Sequence, residues 1–317
     1  MKPVRIWTNC QYLLPDAAKL RERLPKEHQL TICEKSGPDP RLADADIAFG
    51  SPDPQQVIGL DNLRWVQLTA AGYTPYDRDD LRAAIKARGA AITNCSSVFD
   101  EPCAQHALAM ILATVRRLPQ SMDNQRLHRA WPVNELRAQS RLLRDQTILI
   151  VGFGAIGRRL AELLAPFQAK VIALRRNPRG DESVECADIG KLNDWLPRAD
   201  HVMNILPASS STSQLFDADR FRKMKKSAVF YNIGRGTTVD QTALRVALET
   251  GHIAEAYVDV MTPEPLPAHD PLWTTPNCFI TPHTAGGHLE ENDRIVSLFL
   301  ENVKRFESGQ ELKDRVI

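Results

Sequence analysis

Thr147-Ile148-Leu149-Ile150-Val151-Gly152-Phe153-Gly154-Ala155-Ile156-Gly157 is the stretch from which the fold can be read. Thr147 to Val151 is an apolar run of strand length. Within Arg158 to Phe167, the residues Leu160, Ala161, Leu163 and Leu164 fall on one face of a helix. A strand, a glycine turn and a helix, in that order, form the context in which GxGxxG has a physical meaning. Gly152 allows the tight turn, Gly154 lets backbone approach a pyrophosphate, and Gly157 lets the helix pack close on the sheet. Ala155 and Ile156 lie between them, where the helix N-terminus receives the diphosphate. The stretch predicts a dinucleotide site.

Downstream, three more strand-like runs, Ala228 to Ile233, Ala256 to Val260 and Cys278 to Pro282, are each followed closely by one ionisable residue: Arg235, Glu264 and His283. In an open α/β sheet ligands bind at the carboxyl ends of the strands. If these strands are parallel neighbours, an anion clamp, a carboxylate and an imidazole face one crevice. Arginine offers a planar fork for a carboxylate. Histidine titrates near working pH and can move a proton. A carboxylate against one ring nitrogen favours the imidazolium. Glu264, between Pro263 and Pro265, also suits the cap of a rigid turn. The other histidines, among them His106, His201 and His288, show no ligand-like clustering, and no metal is expected.

Upstream, short apolar runs (Val4 to Trp7, Leu30 to Cys33, Ile47 to Phe49, Trp65 to Leu68, Ala91 to Thr93) alternate with helical stretches such as Asp16 to Arg23 and Asp79 to Ala87. That alternation predicts a parallel sheet with crossovers. A long helical pattern follows from Glu101 to Leu118, then a polar arm from Pro119 to Arg144. The last helical pattern, Leu289 to Phe306, has no place in the second sheet and is expected to return to the first domain. The fold class is therefore α/β, with two doubly wound parallel-sheet domains: a Rossmann-type nucleotide domain, 99–285, inserted into a flavodoxin-like substrate domain, 1–98 and 286–317. The cleft is expected between them.

The chain has 317 residues, 43% of them hydrophobic and 25% charged, so a real core is expected and wholesale disorder is not. A net charge of +1 supplies no global field for nucleic acid. The sequence enters a strand pattern at once, with neither a leader nor a membrane span, so a cytoplasmic location is expected. Six cysteines without a CxxC pair read as reduced packing thiols.

The motifs VGFGAIG at 151–157, NIGRG at 232–236, VDVMTPEPLP at 258–267 and TPHTAG at 281–286, in that order, resemble the D-isomer-specific 2-hydroxyacid dehydrogenases. The resemblance covers nearly the whole chain. It implies hydride transfer between a nicotinamide and the C2 carbon of a small 2-oxo or 2-hydroxy acid, such as reduction of glyoxylate or hydroxypyruvate, by a homodimer. By motif position Arg235, Glu264 and His283 match the catalytic trio, with Arg235 and His283 also touching substrate. The resemblance adds backbone amides of Ala71, Gly72 and Tyr73 for the substrate carboxylate. It also places Leu206, Pro207 and Thr212 beneath the adenosine, Ile233 and Gly234 beside the cofactor, and Asp259 at the nicotinamide amide. Tyr73 and Tyr76 depart from the small or aliphatic residues common in that loop, and Gln105 stands where the family commonly has glutamate. Two other functions use the same fold: a nucleotide-sensing scaffold, and a dehydrogenase of formate or phosphite.

Cofactor choice is read after the second nucleotide strand, Lys170-Val171-Ile172-Ala173-Leu174-Arg175-Arg176-Asn177. NAD sites place an acidic residue about 20 residues beyond the glycine turn, where it accepts from the ribose hydroxyls. Here Arg175 holds that position. It cannot accept those bonds but can pair with a 2′-phosphate, with Arg176 and Arg179 near it. NADP is the expected cofactor, with NAD also possible.

Overall fold

The computed structural model describes residues 3–10, 18–34 and 37–317, in two compact units. One comprises Met1–Phe99 with His288–Ile317, and the other Asp100–Gly287.

The first unit holds five parallel strands: β1 (Arg5–Thr8), β2 (Gln29–Ile32), β3 (Ile47–Phe49), β4 (Trp65–Gln67) and β5 (Ala91–Thr93). Their order is β2-β1-β3-β4-β5, the flavodoxin-like winding. β3, β4 and β5 are buried at every position, as the continuous apolar runs require when helices cover both faces of a parallel sheet. The helix Glu291–Glu307 belongs to this unit. Acidic residues sit in its first turn and basic ones in its last, which suits the helix dipole. Its buried Phe299 stacks on Phe49 with ring centroids 4.0 Å apart and on Trp65 at 5.5 Å. Burying a ring of that size is worth roughly 1.5–3 kcal/mol. Of the stretch Asp16 to Arg23, Ala18–Arg23 is helical, while Asp16 and Ala17 lie outside the described residues.

Helix Ser96–Val115 starts more than a full turn before Glu101 and carries Pro102 inside it, a residue that in sequence marks a helix's first turn and so suggests a later start. Residues 119–144 carry the short helices Leu118–Asp123 and Val133–Gln139.

The second unit holds β6 (Thr147–Val151), β7 (Lys170–Arg175), β8 (Glu185–Asp188), β9 (His201–Asn204), β10 (Val229–Asn232), β11 (Glu255–Val258) and β12 (Cys278–Ile280). All their pairings are parallel, in the order β12-β11-β10-β9-β6-β7-β8. The winding reverses between β6 and β9, where a doubly wound sheet opens a crevice at the strands' carboxyl ends. The three strands that precede Arg235, Glu264 and His283 are thus neighbours. β8, Glu-Cys-Ala-Asp, is an edge strand that lacks an apolar run, so hydrophobicity alone did not mark it. No described helix is long and apolar enough to cross a membrane.

Candidate active site

The glycine turn sits at the reversal of the winding. Gly152 has φ +106°, and a Cβ there would come 2.9 Å from the Ile205 carbonyl group, so glycine lets the β6 and β9 loops touch. At Gly157 a Cβ would lie 2.6 Å from the Gly152 carbonyl oxygen, which explains the close seat of helix Ala155–Leu164 on the strand. Gly154 has nothing within 4 Å of its Cβ position and presents bare backbone.

A cavity of about 650 Å³ opens in front of this turn. Gly152, Gly154, Arg175, Arg176, Leu206, Pro207 and Thr212, all expected from sequence, line it. Ala155, Ile156, Gly157, Ile233, Gly234 and Asp259 do not. Ile189, Gly190, Asn193 and Arg220 line it as well, and no motif had marked them. Bare backbone at a helix N-terminus, an apolar wall at Leu206 and three arginines fit the adenosine and phosphate half of a dinucleotide.

Arg175 is not alone there. Its Nη1 lies 3.3 Å from Oε1 of Glu182, so a carboxylate stands beside the arginine although none occupies the ribose position in the sequence. Glu182 also accepts from the amides of Arg179 and Gly180, each at 2.8 Å. Those amides hold its carboxyl down at about 2. The side chain of Arg179 does not line the cavity.

At the other half of the sheet edge, His283 Nδ1 is 2.7 Å from Glu264 Oε2. Glu264 Oε1 accepts from the Met261 amide at 2.9 Å, so this carboxylate caps its turn and holds the imidazole at once. The peptide bonds before Pro263 and Pro265 are cis. His283 has φ +53°, a left-handed conformation that costs a non-glycine residue roughly 1 kcal/mol or more. Its amide donates to the Asp259 carbonyl at 2.8 Å. The Asp259 carboxylate, almost fully buried, accepts from Thr281 Oγ1 (2.6 Å), the Thr284 amide (2.9 Å) and the Ala285 amide (3.1 Å). Asp259 therefore holds the whole loop on which His283 sits. His106 Nε2 reaches Thr281 Oγ1 at 3.2 Å and joins the same network.

Arg235 caps the short turn Gly236–Thr238. One guanidinium nitrogen donates to the Gly234 carbonyl at 2.6 Å, and the rest of the fork has no hydrogen-bond partner among the described residues. Its backbone is fixed by Thr238 Oγ1, which donates to the Arg235 carbonyl at 2.6 Å. A Cβ on Gly236 would overlap the Met261 backbone. The arginine turn therefore rests directly on the loop that carries Glu264. The side chains of His283 and Glu264 are 51% and 36% exposed, open enough for a substrate to reach both.

In the first unit, the loop Ala71-Gly72-Tyr73 follows β4, and Asn94 Nδ2 donates to the Ala71 carbonyl at 2.7 Å. Tyr76 is buried in that unit's core and donates to the Pro52 carbonyl, so its size is a matter of packing. Tyr73 is partly buried and packs against the same core. Gln105 donates to Glu101, which pairs with Arg159 of the helix after the glycine turn. Among the described residues no cluster of three metal-ligating side chains occurs.

The model of the D-isomer specific 2-hydroxyacid dehydrogenase NAD binding domain matches residues 108–285. Human glyoxylate reductase/hydroxypyruvate reductase is 33% identical over 243 residues, covering 76% of this chain and 73% of that one. Among solved structures, an NADPH-dependent glyoxylate/hydroxypyruvate reductase from Sinorhizobium meliloti, in complex with NADP and malonate, matches with a TM-score of 0.75 at 27% identity. That match covers 100% of this chain and 97% of the other. A D-isomer specific 2-hydroxyacid dehydrogenase from Xanthobacter autotrophicus, in complex with NADPH and MES, gives 0.81 at 27% identity, covering 100% and 98%. The chain belongs to the D-isomer specific 2-hydroxyacid dehydrogenase family. It is an NAD(P)-dependent 2-hydroxyacid dehydrogenase, and a nicotinamide dinucleotide is its cofactor.

Proposed function

We propose that this enzyme reduces a small 2-oxo acid of the glyoxylate or hydroxypyruvate type, with NADPH preferred over NADH, and forms the D-isomer wherever C2 becomes a stereocentre. The observation that carries this reading is the pairing of His283 with Glu264 on a loop that the Arg235 turn abuts. The bound reduced nicotinamide supplies a hydride to C2. With Nδ1 engaged by Glu264, Nε2 is the ring atom left to face the substrate oxygen, and it releases its proton there as negative charge develops. Glu264 holds the ring by Nδ1 and so fixes the direction in which Nε2 points during that transfer. The free donors of Arg235 grip the substrate carboxylate and polarise the neighbouring carbonyl.

The remaining assignments belong to the same proposal. Arg175 and Arg176 read the 2′-phosphate, in keeping with the two NADP(H)-bound structures named above. Leu206, Pro207 and Thr212 line the adenosine side, while Ile233, Gly234 and Asp259 border the nicotinamide. The second unit is the nucleotide domain and the first the substrate domain, where Ala71, Gly72 and Tyr73 are assigned to substrate on the resemblance alone. A homodimer is supported by apolar side chains exposed along residues 118–142, among them Leu127 and Trp131, 71% and 90% exposed.

The test is a panel of 2-oxo acids of increasing size, with formate and phosphite alongside, assayed with each nicotinamide on the purified protein. Glyoxylate or hydroxypyruvate should give the highest kcat/KM, and NADPH should be favoured by at least about tenfold, ~1.4 kcal/mol. Turnover of formate or phosphite, without any of a 2-oxo acid, would replace the substrate class.

A further inference from the structure

The turn between β7 and β8, Arg176-Asn177-Pro178-Arg179-Gly180-Asp181, is closed by the residue after it. Glu182 folds back so that Oε1 meets the Arg179 amide at 2.8 Å and Arg175 Nη1 at 3.3 Å, while Oε2 meets the Gly180 amide at 2.8 Å. Gly180 has φ +83°, which such a turn needs and glycine allows. The carboxylate is 5% exposed and does not line the dinucleotide cavity, whereas Arg175 is 21% exposed and does. One carboxylate thus ties the turn together and holds the arginine at its start from behind.

Two consequences follow. The Arg179 and Gly180 amides are already used by Glu182 and are closed to an anion. Among the described residues only one nitrogen of the Arg175 fork is engaged, leaving Nε and Nη2 for a ligand. A long side chain loses rotamer freedom when it grips a phosphate, and a partner that fixes it beforehand removes that cost.

We propose that Glu182 is a positioning residue for cofactor selection, aiming Arg175 into the cavity to receive a 2′-phosphate. The proposal rests on the NADP reading above. It opposes the alternative in which the same carboxylate neutralises Arg175 and weakens its hold on phosphate.

The experiment measures binding by calorimetry on the full chain, with adenosine 2′,5′-bisphosphate and 5′-AMP, which differ only by the 2′-phosphate. Wild type should favour the bisphosphate by about tenfold or more, ~1.4 kcal/mol. In Glu182→Gln, which keeps the volume and can still accept from one amide, and in Glu182→Ala, the preference should fall to about threefold or less, with 5′-AMP affinity unchanged. Should the alanine variant fail to fold, the glutamine variant decides. An unchanged preference overturns the proposal, and tighter bisphosphate binding overturns it in favour of neutralisation. Equal weakening of both ligands overturns it in favour of a merely structural turn. If wild type itself shows no preference, the NADP reading fails first and takes this proposal with it.

Discussion

His201 begins the central strand β9 and His283 follows the edge strand β12, so one lies at the amino ends and the other at the carboxyl ends of the strands of one parallel sheet. His201 is 2% exposed, with Nδ1 2.9 Å from the Tyr231 hydroxyl. Tyr231 donates to Thr114 Oγ1 at 3.2 Å, and Thr114 donates to the Met110 carbonyl at 3.0 Å. The tyrosine proton is therefore committed, and the histidine must donate from Nδ1. Burial pushes this ring's pKa down to about 4. His283 is also held at Nδ1, but by a carboxylate, with half its side chain open. Their glutamates differ in the same way: Glu255, at the His201 end, is buried against Arg117 and its pKa is raised by burial, whereas Glu264 is partly exposed. A histidine's task is set by the partner on its first nitrogen and by what can reach its second.

The contrast is broken most directly at His283. His283→Ala should lower kcat/KM by about a thousandfold, the scale of an essential proton donor, while NADPH affinity changes by no more than about twofold. Stopped turnover assays and a direct cofactor titration measure the two, and wild-type turnover would end the proposed mechanism. His201 should leave its mark on stability. The unfolded ring takes a proton at 6.5 and the folded ring only at about 4. Between those values the unfolded chain binds more protons, so the contribution is complete above 6.5 and declines as pH falls. The loss levels off near pH 4 at about 3 kcal/mol. Denaturant titrations across this window should show the slope in wild type and a shallower one in His201→Gln; identical slopes would place the acid sensitivity elsewhere. The smallest effect is expected from Arg235→Lys, which keeps charge but loses the fork. KM for the 2-oxo acid should rise about tenfold, ~1.4 kcal/mol, with a smaller change in kcat. A wild-type KM would detach Arg235 from the carboxylate.

Much of this was legible because parallel strands covered on both faces must be apolar throughout. Thr147–Val151 announces β6 residue for residue, and the ionisable groups after the later strands lie where strand order puts them. Edge strand β8 was invisible because Glu185–Asp188 need not be apolar. The tie between Glu182 and Arg175 depends on how six residues of turn close, which no periodicity records. Asp259 was legible as a residue near a strand end, but not as the anchor of the His283 loop, since its partners lie more than twenty residues on. Tyr76 was legible as a departure in its loop, but not as a core residue that donates to the Pro52 carbonyl.

Gly236 bears on how such an enzyme can diversify. Because its backbone leaves no room for a side chain against Met261, the arginine turn and the acid loop are seated on each other. A substitution or insertion at that seat displaces clamp and proton donor together. Variants that survive selection must inherit this half of the machinery as one block, and new substrate ranges must be sought among side chains that can be exchanged without moving it.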